Sequence, residues 1–320
     1  MLRSILIYLS KAVWARKIVT NWGLAWRVAS RFVAGDKPED AIRVIKELNA
    51  KGIATTLDHL GENVDSTEEA QQATDEILNM LDEIDSAGVC AGVSIKLSQI
   101  GLLLGEALCE ENVRRIVGRA KQHNNFIRID MEDSPYTDAT LEILRKMRTE
   151  GYADNVGIVI QAYLFRSEKD IRQLMQEQAG VRLCKGAYKE PPEIAFPKKA
   201  DVDANFDHLT AMLIDGSQAA GTPKISQDGK FPPIPAIATH DVKRVDYAKS
   251  YAQEAGYPKG AMEFQMLNGI RRGLQESLVA EGYPVRVYVP YGTEWYPYFV
   301  RRLAERPANL WFFISNFLRR

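Results

Sequence analysis

The chain opens in a helical rhythm. Ile42, Val44, Ile45 and Leu48 recur near a 3.6-residue period behind the start signal Pro38-Glu39-Asp40. Residues 1–15 carry an apolar stretch behind Arg3. Lys11 interrupts it, and Arg16, Lys17 and Arg27 continue an amphipathic pattern, so the start reads as a helix rather than a signal peptide. From about residue 51 the rhythm changes. Short aliphatic or β-branched runs alternate with longer amphipathic segments. The runs are 52–58 (GIATTLD), 90–97 (CAGVSIKL), 125–131 (NFIRIDM) and 156–163 (VGIVIQAY), then 180–188 (GVRLCKGAY), 234–240 (IPAIATH), 262–267 (MEFQML) and 285–291 (VRVYVPY). Helices are predicted between most of them, among them 67–87, 112–123, 137–150 and 168–178.

Such alternation implies parallel strands joined by crossover helices. Eight repeats in roughly 250 residues suit a (βα)8 barrel, with an open doubly wound sheet as the alternative because periodicity does not count closure. The expected organisation is a helical arm over 1–50, a catalytic barrel over 51–310 and an amphipathic tail over 311–320. Residues 221–233 (GTPKISQDGKFPP) read as a surface insertion loop ahead of the sixth strand. The tail crowds Trp311, Phe312, Phe313, Ile314, Phe317 and Leu318 before Arg319 and Arg320. A helix there could lie on a membrane surface, against a partner or on the chain's own barrel.

Charge and composition narrow the classes. Forty-one basic and forty-two acidic side chains leave a net charge of -1, which argues against a protein built to neutralise nucleic-acid phosphates. Three cysteines without a CxxC pair point to a reducing compartment and signal neither a disulfide framework nor a zinc site. The four histidines form no HExxH, so no metal is expected. Neither GxGxxG nor a P-loop occurs.

A (βα)8 barrel keeps its active site at the C-terminal ends of its strands. The ends of the runs supply Lys96, Asp130 and Met131, Gln161 and Tyr163, Arg182 and Lys185, Thr239 and His240, Gln265 and Leu267, and Tyr288 and Tyr291. Buried charge must be paired, so Lys96, Arg182 and Lys185 converging with Asp130 suggest an anionic ligand. After the eighth run, residues 294–305 read as a helix with Pro297 in its first turn. Tyr298, Arg301, Arg302 and Glu305 share one face of it. Two guanidiniums there could grip a carboxylate through forked hydrogen bonds, or could simply be a solvated charged face. A Schiff-base lyase using Lys96 or Lys185, and a docking module using the aromatic tail, are competing readings.

The ordered motifs SIKLS (94–98), IDME (129–132), QAY (161–163), RLCKGAY (182–188), ATHD (238–241), EFQML (263–267), YVPYG (288–292) and WYPYFVRRLAERPAN (295–309) carry a resemblance. The chain resembles the flavin-dependent proline dehydrogenase family in its monofunctional bacterial form, over roughly residues 50–310. The resemblance implies a distorted (βα)8 barrel with its last helix over the mouth. It implies noncovalent FAD and oxidation of L-proline to Δ1-pyrroline-5-carboxylate, with electrons passed to a membrane quinone. Arg301, Arg302 and Lys96 would bind the substrate carboxylate, and Tyr288, Tyr298 and Leu267 would wall the ring. Tyr298 would crowd its C4 and favour proline over hydroxyproline. Asp130 would organise the site, and Arg182 and Gln161 would hydrogen-bond the flavin. Met131, Lys185, Gly186, Ala187, Tyr188, Thr239, His240 and Gln265 would cradle the cofactor. Glu305 would brace the arginines or touch it. Cys184 stands where the family often has Val, as a small core residue or a redox-sensitive thiol. A separate pyrroline-5-carboxylate dehydrogenase would act downstream. The implied location is the cytoplasm, with peripheral contact on the inner face of the membrane.

Overall fold

The structure, a computed structural model, describes residue 26 and residues 29–61, 64–221, 226 and 228–305, with side chains through residue 300. Eight parallel strands close into a barrel in sequence order. They are β1 Ala54–His59, β2 Ala91–Ile95, β3 Ile127–Ile129, β4 Val156–Gln161, β5 Gly180–Cys184, β6 Pro235–Ala238, β7 Glu263–Leu267 and β8 Val285–Tyr291. Each falls within one of the eight runs or overlaps it to within a residue. Closure runs through β1 and β8, from Ala54 opposite Arg286 to His59 opposite Tyr291. The open-sheet alternative is thereby excluded.

Nine helices of two turns or more are described: α1 Pro38–Asn49, α2 Thr67–Ala87, α3 Glu106–Gln122, α4 Thr137–Met147, α5 Ser167–Gln176, α6 Lys199–Ala219, α7 Val242–Glu254, α8 Arg272–Ala280 and α9 Trp295–Glu305. Local chemistry fixes α2 at both ends. Ser66 accepts from the Glu69 amide at 3.2 Å, while Glu69 Oε2 accepts from the Asp65 amide at 2.8 Å. Gly88 then ends the helix in the left-handed conformation, with φ +61°.

Two helices depart from a regular barrel. α1 packs over β1 and β8, and its Ala41 and Ile45 share the barrel's core. It thus covers the seam that a helix following β8 would otherwise cover. α9 is free to sit elsewhere. Its Trp295, Tyr296, Tyr298, Phe299 and Val300 form a second core with Phe32, Val33, Leu60 and Ile270, and Leu267 packs against that core. Leu60 follows β1 and Leu267 ends β7, so α9 lies over the C-terminal mouth.

The segment before β6 is not a surface loop where it is described. The Gly229 carbonyl accepts from Arg286 Nη2 at 2.5 Å. The Phe231 ring meets the Phe126 ring edge-on at 6.3 Å, and Pro233 is buried. A Cβ on Gly229 would lie 3.1 Å from Cys90 Sγ. The segment therefore plugs the N-terminal end of the barrel, opposite the mouth. The expected tail over 311–320 and the first 25 residues lie outside the described residues. Among the described residues no helix is long and apolar enough to cross a membrane.

Candidate active site

Strand alternation decides which side chains enter the barrel. It puts Thr56 and Asp58 on one face of β1, Ser94 and Lys96 on one face of β2, and Arg128 and Asp130 on one face of β3. Glu263 and Gln265, and Arg286 and Tyr288, are paired likewise on β7 and β8. These are the inward faces, because their side chains meet across the barrel.

Asp130 is the hub. Its Oδ2 accepts from Tyr288 OH at 2.8 Å, and its Oδ1 accepts from Arg182 Nη1 at 2.9 Å. Lys96 Nζ donates to Asp58 Oδ1 at 2.7 Å and to Tyr288 OH at 3.3 Å, and lies 3.7 Å from Asp130 Oδ2. Arg182 also donates to Ser94 Oγ at 3.1 Å and to Gln265 Oε1 at 2.5 Å. Its guanidinium lies 5.4 Å from the Tyr288 ring centre. So Lys96, Asp130, Arg182, Tyr288 and Gln265 come together as the sequence suggested.

Three charge states follow. Burial works against the Lys96 ammonium, but Asp58 and Asp130 outweigh it and hold Lys96 above its ordinary value. Its two carboxylate neighbours thus favour the ammonium form of Lys96, which speaks against the Schiff-base reading. Burial raises Asp58 despite Lys96, and pushes Tyr288 well above the usual phenol range. The Tyr288 hydroxyl is thus a fixed donor to Asp130.

Asp58 was missing from the sequence-based set. It ends the first run, GIATTLD, and the rule that picked Lys96 would have picked it. Ser94 was missed because only strand ends were read. Its signal was the two-residue spacing from Lys96.

Lys185 does not converge with the others. Its Nζ is held by Asp203 Oδ1 at 2.5 Å and by Asp241 Oδ2 at 2.8 Å. Without it the cluster has two cations, Lys96 and Arg182, against two carboxylates, Asp58 and Asp130. That corrects the expectation of a surplus of positive charge at the strand ends. Arg301, Arg302 and Glu305 are on α9, but their side chains lie outside the described residues.

The other expected positions are mixed. Gln161 Nε2 donates to the Met131 carbonyl at 2.8 Å, and its buried Oε1 has no protein partner. Gln265 Nε2 donates to Glu263 Oε1 at 2.5 Å, so both ends of that amide are engaged inside the barrel. His240 Nε2 accepts from the Leu267 amide at 2.9 Å, and Thr239 Oγ1 accepts from the Asp241 amide at 3.1 Å. Ala187 and Tyr188 are exposed beside the mouth. Burial pushes the Cys184 thiol up to about 12, and the half-buried side chain packs against the barrel core.

Gly186 was expected to permit close approach of a cofactor. Its nearest neighbour is instead the Tyr163 ring: a Cβ would lie 2.2 Å from Tyr163 Cδ1, at φ +105°. Gly186→Ala is expected to destabilise the fold by about 2–4 kcal/mol through clash and backbone strain. Urea unfolding checks this, and an unchanged midpoint would remove the packing account.

A closed eight-stranded barrel with a charged, hydrogen-bonded cluster at its C-terminal strand ends is an enzyme of the barrel class. The family profile described as proline dehydrogenase matches residues 41–314. The chain belongs to that family. It is 42% identical over 297 residues to proline dehydrogenase of Deinococcus radiodurans, covering 92% of this chain and 91% of that one. It is 40% identical over 312 residues to proline dehydrogenase 2 of Bacillus subtilis, covering 97% and 96%. The barrel superposes on proline utilization A from Bdellovibrio bacteriovorus inactivated by N-propargylglycine with a TM-score of 0.78, at 26% identity, over 88% of this chain and 33% of that one.

Proposed function

We propose that this chain oxidises L-proline to Δ1-pyrroline-5-carboxylate with noncovalently bound FAD and passes the electrons to a membrane quinone. The observation that carries the reading is a charge-balanced cluster under a helix that bears Arg301 and Arg302 over the mouth. Proline brings one carboxylate, and the two arginines supply the positive charge that the cluster lacks. Lys96, fixed by Asp58, adds a protonated donor at the same end. Tyr288, Tyr298 and Leu267 supply apolar walls for the ring, and Tyr298 narrows the site toward proline rather than hydroxyproline.

The side chains present fit a flavin. Gln161 Oε1 is a buried acceptor without a protein partner, suited to a ring N–H. Arg182 is a rigid donor, anchored at three points, suited to the carbonyl edge. Met131, Gln161, Arg182, Lys185, Gly186, Ala187, Tyr188, Thr239, His240, Gln265 and Glu305 would hold the cofactor. A diphosphate reaching Lys185 has to compete with Asp203 and Asp241. The flavin supplies the hydride acceptor when bound. The protein's own work is orientation. Arg301, Arg302 and Lys96 hold the carboxylate so that one ring carbon faces the cofactor. Arg182 holds positive charge where negative charge develops. Asp130, bonded by Tyr288 and Arg182, keeps both in place.

The basic aromatic tail supports peripheral contact with the inner face of the membrane, where a quinone is reached. The product would pass to a separate pyrroline-5-carboxylate dehydrogenase. The purified protein should show a visible flavin band that bleaches on anaerobic addition of L-proline. A band that proline leaves unchanged would remove the substrate assignment. No band after adding FAD would remove the cofactor.

A further inference from the structure

Beneath the active-site cluster, side chains from six strands and the segment before β6 close around a cavity of about 10 Å³. Its walls include Arg128, Arg182, Arg286, Thr56, Gln265 and Pro232. Arg128 is 1% exposed. Its Nη1 donates to the Gly180 carbonyl at 2.6 Å and to the Ile158 carbonyl at 3.1 Å. Its Nε and Nη2 are buried and have no protein partner.

Charge pairing singles out the same side chain. Arg182 is answered by Asp130 at 2.9 Å, and Arg286 by Glu263 at 2.8 Å. Three guanidiniums thus share two carboxylates, and Arg128 is the one left over. The Phe126 ring, 4.8 Å from its guanidinium carbon, offsets part of that charge. Burial, and then the Arg182 charge, pull Arg128 well below its ordinary pKa, yet an arginine does not give up its proton in a protein. The backbone has been cleared to admit it. A Cβ on Gly157 would lie 2.6 Å from Arg128 Nη1 and 2.5 Å from the Gly180 carbonyl.

A water in the cavity would satisfy the two N–H groups but leave the charge uncompensated. The cavity has room for one small guest, and a single unanswered guanidinium calls for one negative charge. We propose that this cavity binds one small monovalent anion of the halide class, chloride, at Arg128 Nε and Nη2. The site lies on the side of Arg182 away from the mouth. Its occupancy would neutralise the barrel base and leave Asp130 to answer Arg182 and Lys96. The proposal stands apart from the assignment of substrate and cofactor.

The test uses the full chain crystallised in bromide in place of chloride. An anomalous peak in contact with Arg128 Nε or Nη2 is expected. In parallel, replacing gluconate by chloride at fixed ionic strength should raise the melting temperature by about 2–4 °C, as for a ligand bound only by the native state. Arg128→Met should abolish that response. A water, or no density, at the bromide position overturns the proposal whatever the melting curve does. A chloride response that survives in Arg128→Met also overturns it. If that variant does not fold, the bromide map of the unmodified protein decides alone.

Discussion

Lys96→Met is expected to lower kcat/KM for L-proline by about 10²–10³-fold and to cost about 3–5 kcal/mol of stability at neutral pH. The catalytic loss follows from removing a protonated donor beside Tyr288 and Asp130. The stability loss has a different origin. Asp58 has a side chain only 2% exposed, and Lys96 is its ion-pair partner at 2.7 Å. Methionine leaves that carboxylate buried and unpaired. Burial already raises Asp58 in the intact pair, and loss of Lys96 raises it further. A carboxyl raised in the native state binds more protons there than in the unfolded chain. The variant's stability should therefore increase as pH falls from 7 toward about 4, the ordinary carboxylate range. Urea unfolding at pH 7 and pH 5 measures it. A variant equally stable at both values would sink the buried-pair account. Adding Asp58→Leu to Lys96→Met should recover much of the stability and none of the activity, which separates the two roles of Lys96.

The second large effect concerns Arg182. Its planar fork bonds Asp130, Ser94 and Gln265 together, with its side chain 7% exposed. Lysine keeps the charge but cannot span three fixed partners. With the proposed flavin bound, Arg182→Lys is expected to slow its reduction by proline about 10²–10³-fold in stopped-flow absorbance, while KM moves less than about threefold. That split follows from assigning the carboxylate to α9 and Lys96 rather than to Arg182. A large rise in KM at unchanged rate would place Arg182 on the substrate instead and overturn the assignment.

Much of this architecture was legible before any coordinates. The eight runs predicted eight strands, and the Pro297 start signal predicted α9 to within a residue. A strand buried on both faces has to be an apolar or β-branched run, so its position is written locally. The ordered motifs, from SIKLS to the long Arg-Arg stretch, fixed the family. Strand-end reading found Lys96, Asp130, Arg182 and Tyr288. Asp58 ends its run as they do, Ser94 stands two residues before Lys96, and both were overlooked. VRVYVPY already alternates Arg286 and Tyr288 onto one face.

Other features had no local signature. Residues 221–233 are polar and rich in turn formers, so locally they read as surface. Only the closed barrel offers an N-terminal opening for Gly229 and Phe231 to fill. Lys185 looked like a member of the anion cluster because its position in RLCKGAY is a strand end. Asp203 on α6 and Asp241 before α7 claim it, and both come from elements distant in the chain. Gly186 looked like a cofactor contact, yet the Tyr163 ring from the turn after β4 already demands a glycine. The sequence by itself determined the element order, which side chains share a strand face, and the family, because periodicity and motif are properties of neighbouring residues. Closure, the charge balance of the site and the unanswered charge on Arg128 were decided only in three dimensions. Pairing of buried charges is a relation between residues far apart in the chain, set by how the barrel brings its strands together.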